Sequence, residues 1–386
     1  MTLAKARTSR ITRTIATGAA LAAAALFAAP AAVAADAHHT PGSRAQQGGG
    51  STVFVQSDDT TANTVVAYAR AADGTLAQQG VYATGGKGGI LPGTVADHLA
   101  SQGSLAYDRH HHLLYAVNAG SDTVTVFAVH GTHLRRVQEI SSGGSFPVSV
   151  TFHGDRVYVA NTLGGGSVQG FVRTGDRLVK VPSWNRNLGL DKATSAVGQI
   201  SFTPDGSKLV VTTKASGQSI DVFPVGAHSG PSAHPVVTST PGAVPFGFAF
   251  DAAGRLRVTE AGTNSVGTFT VGRDGRLTAK GTVPTGQTAT CWAVTAGNHL
   301  YVSNAASGTL SGYRVGAQGE LTSLGNTATD AGTVDAAASS DGRYLYVQTG
   351  IKGLVDEFRV GANGSLTAIG SVEVPGGVGG EGIAAG

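Results

Sequence analysis

The sequence predicts an all-β fold, a seven-bladed β-propeller of four-stranded antiparallel blades whose ring is closed by the C-terminal strand pairing with the N-terminal blade. Three observations carry this reading. One phrase recurs seven times, its runs alternate apolar and polar residues at period two, and the closing "EGIAAG" matches a piece that the first repeat lacks. Alternation of this kind, rich in β-branched and aromatic residues and bounded by Gly, Asn and Asp, reads as short antiparallel strands.

The repeat is plain when "RLRVTEAGTNSVGTFTVGRDGRLTAKG" from Arg255 is set beside "HLYVSNAASGTLSGYRVGAQGELTSLG" from His299 and "YLYVQTGIKGLVDEFRVGANGSLTAIG" from Tyr344. The first aliphatic of the phrase falls at Val53, Leu114, Val157, Leu209, Leu256, Leu300 and Leu345, and an aromatic follows 13 to 15 residues later, at Tyr68, Phe127, Phe171, Phe223, Phe269, Tyr313 and Phe358. A period of 43 to 61 residues with several strands per unit indicates propeller blades. "RDG", "QGE" and "NGS" supply turn residues that tolerate positive φ.

The innermost strand of each unit precedes the marker: "GQISFTPDG", "GFAFDAAG", "CWAVTAGN" and "VDAAASSDG" are rich in the small residues that crowding around an axis requires. Before Val53 stands only "HTPGSRAQQGGGS", which is no such strand. "EGIAAG" aligns with "VDAAASS" and completes the first blade, covering edges that invite aggregation; the alternative is a frayed tail.

Residues 1–34 read as a signal peptide: Lys5, Arg7, Arg10 and Arg13 precede the apolar "IATGAALAAAALFAA" and the cleavage pattern "AVA" at Ala32 to Ala34. A secreted, extracellular protein is expected, with a flexible Gly-rich segment at 35–50 and a single propeller domain over 51–386. Cleavage takes the 27 Lys and Arg to 23 against 24 Asp and Glu, turning a net charge of +3 into −1. Nucleic acid and anionic membrane are therefore not expected partners, no run is long enough for a membrane span, and a monomer is expected. Cys291 is the only cysteine, so no internal disulfide forms. Stability comes from packing, for which about 350 residues are ample.

In an up-and-down blade the connections from outermost to next innermost strand share one face with the loops between the second and third strands. That first face receives the insertions at 84–103 and 181–199 and the strand ends at Asn118, Asn161, Lys214, Glu260 and Asn304. Long loops on a rigid scaffold carry function, and a ligand is expected at the mouth of the central channel. Candidate catalytic groups are Glu260, the one carboxylate among strand ends that are otherwise Asn or Lys, and the adjacent His98 and Asp97; candidate substrate-binding groups are Asn118, Asn161, Gln199, Lys214, Trp292 and Asn304. Glu260 reads equally as a cap on its own loop, His98 and Asp97 as a solvated loop, and Cys291 as a packed thiol. The "HHH" at His110 to His112 falls in a turn on the opposite face without ligand spacing, so no metal is expected, and no cofactor motif is present.

"LYVSNAASGTLSGYRVGAQGELTSLG" and "SFTPDGSKLVVTTKASGQSIDVFPV" resemble the lactonase family of seven-bladed propellers, which contains 6-phosphogluconolactonase-type and carboxymuconate lactonising enzymes. The resemblance implies a lactone-directed activity, with a His after a Pro at the start of an inner strand and Arg and Glu on the same face. Here those stretches read "SFPVSV", "VPFGFAF" and "TATCWAV", with no such His, which leaves Arg186, Lys192 and Lys214 as cations and Glu260 as the acid. A lactonase-like enzyme working by acid/base catalysis is expected. The alternatives are a non-catalytic propeller binding a ligand, glycan or protein, and a structural envelope protein.

Overall fold

The computed structural model describes residues 52–226 and 229–386; the expected signal peptide and Gly-rich segment lie outside the described residues. Seven antiparallel sheets follow one another along the chain. Blade 1 combines Ile383–Ala385, Thr52–Gln56, Thr64–Arg70 and Leu76–Ala83 in that order from the inside outward. The inner strands of blades 2 to 7 are Leu105–Asp108, Ser145–His153, Val197–Phe202, Pro245–Phe250, Thr290–Ala296 and Thr333–Ala338. Only two helical turns, Ala119–Ser121 and Pro182–Trp184, occur among the described residues, and no helix there is long and apolar enough to cross a membrane.

Period two explains the packing, because successive side chains leave opposite faces of a strand. Val53 and Val55 enter a core shared with Tyr344 and Tyr346 of blade 7, whereas Phe54 between them packs with Leu105, Leu114 and Phe127 of blade 2. The marker and the aromatic of each repeat are cross-strand partners in every blade: Val53 with Tyr68, Leu114 with Phe127, Val157 with Phe171, Leu209 with Phe223, Leu256 with Phe269, Leu300 with Tyr313 and Leu345 with Phe358. The spacing read in sequence is thus a hairpin register, and each aromatic is buried.

The C-terminal strand closes the ring. Val53, Phe54 and Val55 pair with Ala385, Ala384 and Ile383, and the Gln56 amide donates to the Gly382 carbonyl at 2.8 Å. Five inner strands carry a bulge at their first-face end, between Pro147 and Ser149, Val197 and Gln199, Pro245 and Phe248, Thr290 and Trp292, and Thr333 and Ala336. Bulges bend a strand and redirect its side chains.

The second insertion is not a free loop. Trp184 stacks on Tyr158 with ring centroids 5.9 Å apart, Arg186–Asn187 pairs with the third strand of blade 3, and Arg186 spends its guanidinium on the carbonyls of Ser183, Asn185, Pro231 and Ser232. This draws Arg186 to the outer edge of blades 3 and 4. On the opposite face His111 lies in a turn, with Nδ1 2.7 Å from Asp108 and Nε2 2.8 Å from the Arg173 guanidinium. Among the described residues no group of three or more His, Cys, Asp or Glu is arranged to hold a metal ion.

Candidate functional site

Residues 97–104, the end of the first insertion, fill the axis on the first face. Ser101 Oγ donates to the Val148 carbonyl at 2.9 Å, and the Gln102 amide to the Gly198 carbonyl at 2.9 Å. The Gln102 carboxamide exchanges two bonds with the Ala293 backbone, at 2.7 and 3.0 Å, while Trp292 Nε1 donates to the Ser101 carbonyl at 2.6 Å. Glu381 Oε1 accepts from the Gly103 amide at 2.8 Å. The segment therefore bonds to inner strands or their starts in blades 1, 3, 4 and 6, and stands where a channel-mouth ligand was expected.

Three acids and one lysine, Asp58, Asp335, Glu381 and Lys214, surround this plug, and a fourth acid, Asp97, opens it; all are deeply buried. Asp97 accepts from the amides of Leu99 at 2.7 Å and Ser101 at 2.8 Å, so its carboxylate shapes the plug itself. Burial pushes its pKa up, with these amides and the Lys214 charge opposing. The Lys214 ammonium donates to the Ala100 carbonyl and lies 4.4 Å from the centroid of the Phe246 ring; burial pushes its pKa down and the charge of Asp97 resists. Burial raises both Asp335 and Glu381, the charge of Asp335 raises Glu381 further, and Glu381 Oε2 is buried without a partner. Burial and neighbouring negative charge thus both favour the neutral form of Glu381. Asp58 stands in left-handed backbone at φ +53°, its carboxyl accepting from Gln56 Nε2 at 2.5 Å and the Glu381 amide at 3.0 Å, and burial pushes it up to about 8.

The other sequence candidates fall elsewhere. Asn118, Asn161, Glu260 and Asn304 are the last pairs of their ladders, opposite Thr123, Ser167, Ser265 and Thr309. Their side chains turn onto the next strand: Glu260 Oε2 accepts from Ser265 Oγ at 2.7 Å, and Asn304 Nδ2 donates to Ser311 Oγ at 2.9 Å. Lys214 sits one residue beyond that level, past the pair of Thr213 with Ser219, as Asp58 sits beyond Ser57. That single step turns its side chain to the axis. Gln199 Oε1 bridges to the Phe248 amide at 2.6 Å, and Trp292 packs edge-on against Phe246. The structure thus brings together Asp97, Lys214 and Trp292, and leaves Glu260 capping its own loop.

Asp58, Asp335 and Glu381 escaped the sequence reading. A signal existed, since "VDAAA" and "EGIAA" both place an acid at the start of an inner strand, where other repeats place Gly198, Gly247 or Cys291. Cys291 itself is a packed thiol, buried and pushed up to about 12. Alkylation by iodoacetamide is expected to run at least ~100-fold slower in native protein than in unfolded protein, because the thiolate is the reactive form; equal rates would show the thiol to be open and activated.

Solvent reaches the first face through a cleft of about 410 Å³ at the seam between blades 1 and 7. It is lined by Asp58 and Asp59 of blade 1, Ile90 and His98 of the first insertion, and Lys352, Glu373 and Val378 of blade 7. The backbone of His98 donates to the Gly379 carbonyl at 2.8 Å and accepts from the Leu91 amide at 2.9 Å. Its ring lies directly on Gly379, where φ is +78° and a Cβ would come within 2.0 Å of Nε2, so only glycine fits. His98 is half-buried, desolvation pushes its pKa down, and Nδ1 is shut off from solvent without a protein partner. A lowered pKa keeps the imidazole in its neutral, proton-accepting form at neutral pH.

The model of the family described as lactonase, 7-bladed beta-propeller, matches residues 61–176 and 257–379. No curated protein matches the sequence significantly. Among solved structures, a proposed 6-phosphogluconolactonase of Bacteroides fragilis NCTC 9343 superposes with a TM-score of 0.70 at 18% identity, covering 88% of this chain and 99% of that one. The periplasmic gluconolactonase of Pseudomonas aeruginosa gives 0.68 at 19% identity, with 86% and 98% covered. Streptogramin B lyase gives 0.53 at 12% identity, with 72% and 85% covered. At such identities the superpositions establish the fold, and the match of the family model across both halves of the ring establishes that this chain belongs to the lactonase family of seven-bladed β-propellers.

Proposed function

We propose that this protein is an exported lactonase that opens a lactone in the cleft between blades 1 and 7, with His98 as general base. The observation that carries the reading is the His98 imidazole on the wall of a cleft of ligand size, its pKa pushed down by desolvation. His98 takes a proton from water as the water oxygen bonds to the lactone carbonyl carbon; the ring C–O bond then breaks, and the imidazolium returns the proton to the departing oxygen. Lys352 supplies positive charge for the developing oxyanion. Asp58 acts by position, holding the Glu381 amide two residues beyond the glycine on which His98 rests. Export rests on the sequence of residues 1–34 alone.

Proton release from residues 35–386, given simple, sugar-derived and acyl lactones, tests this. His98→Ala is expected to lower kcat/KM by about 10²- to 10⁴-fold, and the acid limb of the wild-type profile to lie below the ordinary imidazole value of 6.5. Turnover that survives His98→Ala but is lost in Glu260→Gln would move the site to blade 5. A second reading, ligand binding without turnover, is supported by the filled axis: Asp97 is spent on its own turn and Glu381 on the plug. Chemical-shift changes on adding a lactone that is never consumed would favour it.

A further inference from the structure

Ile90 and Val378 line the cleft and are left uncovered by the fold, and Val95 and Ile351 are exposed on the adjoining segments. The His98 amide bonds the Gly379 carbonyl at 2.8 Å and the Gly379 amide bonds the Gly350 carbonyl at 2.7 Å, so the chain around residues 95–98, 350–353 and 377–379 runs side by side. On these segments and the adjoining insertion, Val95 is 80% exposed, Val378 62%, Ile90 52% and Ile351 44%. Single exposed apolar residues are ordinary, whereas a contiguous group around a concave site marks a binding surface. The elements are held by backbone hydrogen bonds, so the patch is a built surface.

The charges of the cleft narrow the ligand further. Asp59 and Glu373 face Lys352, and Asp59 is held ionised by hydrogen bonds from Thr61 and Ala62. Behind them, burial favours the neutral forms of Asp58, Asp97, Asp335 and Glu381, so they supply no compensating positive charge and the ionised carboxylate at the mouth is Asp59. A phosphorylated substrate would bring two further negative charges into this field.

Resting on the reading of this cleft as the lactone site, we propose that its substrate is an uncharged lactone carrying an aliphatic chain, the ring directed to His98 and the chain laid on Ile90, Val95, Ile351 and Val378.

Kinetics on γ-butyrolactone, γ-octalactone and γ-dodecalactone, with glucono-lactone and its 6-phosphate beside them, test this. From butyrolactone to octalactone kcat/KM is expected to rise about tenfold, short of what full burial of four methylenes would give, and the 6-phosphate to be at least about tenfold poorer than glucono-lactone. Val378→Asp and Val95→Asp should collapse the long-to-short ratio, whereas Val237→Asp, 57% exposed on blade 4, should not. A flat chain-length series, or preference for the 6-phosphate, overturns the inference while leaving lactone hydrolysis standing. If no lactone turns over, the hydrolytic reading fails by itself, and titration with 5-alkyl-2-pyrrolidinones decides the inference. Affinity that rises with chain length and is lost in Val378→Asp upholds it; binding indifferent to chain length, or none, overturns it.

Discussion

Deleting residues 380–386 is expected to abolish cooperative folding of the whole ring, although the strand removed is only Ile383–Ala385. The loss is not local. Val53 and Val55, fully buried, would lie on an uncovered edge, and Ile383 would leave the core it shares with Tyr344 and Tyr346. Arg109 would lose the Ala385 carbonyl, Asp58 the Glu381 amide, and the plug its anchor on Glu381 Oε1. Burying a large aliphatic side chain stabilises by about 1.5–3 kcal/mol, and each buried polar group left unpaired costs about 1–3 kcal/mol. Together these approach the ~5–15 kcal/mol that holds a domain folded. Calorimetry on the truncated protein should show no sharp transition, together with aggregation through the opened edge. A melting temperature within about 2 °C of the full chain would mean that the ring closes without this strand.

The second large effect is a loss of stability as pH rises from 6.5 to 8.5. Asp58, at about 8, and the Asp335 and Glu381 pair bind protons in the folded state that they release when unfolded, because burial penalises their charged forms. Stability from such groups is complete below the ordinary carboxylate range and is lost as pH passes their raised values. Asp97, Asp221, Asp356 and Glu357 shift in the same direction. Of the opposing groups, His98 and His299, pushed down by burial, have their effect below 6.5, while Lys214, pushed down to about 8, offsets part of the fall at the alkaline end of the window. Asp58 alone implies a fall of about 2 kcal/mol across the window, a shift of a few °C in melting temperature. Glu381→Gln should flatten the curve, since it removes one buried carboxyl with a raised pKa and the charge that couples it to Asp335, Asp97 and Asp58. It should match wild type near pH 5 and exceed it at 8.5. A variant with an unchanged slope would remove the carboxyl pair as the origin.

How much of this was legible in sequence depended on whether a feature repeats. The blades were legible because one strand pattern is written seven times, and burial on both faces leaves its mark on every copy. Even the pairing of Val53 with Tyr68 followed from spacing, since hairpin register ties position along the chain to position across the sheet. The site is written once. Lys214 was grouped with Asn118 and Glu260, yet it lies one residue further along and faces the axis, while Glu260 faces Ser265. A one-residue offset is invisible in a pattern read for periodicity and reverses the direction of a side chain.

By itself, then, the sequence determined the blade number, the strand order within each blade and the closure of the ring by "EGIAAG", because these rest on local alternation and on one repeat lacking a piece. Only the tertiary structure decided that residues 97–104 plug the axis, that Asp335 and Glu381 are buried beside it, and that His98 stands in an open cleft beside Val378. Asp58, Asp97, Asp335 and Glu381 are separated by up to 323 residues in the chain. Their proximity comes from the circular arrangement of the blades, which brings the two ends of the described chain into a single sheet, and from the bulge that turns the start of an inner strand; neither is a property of any short stretch of sequence.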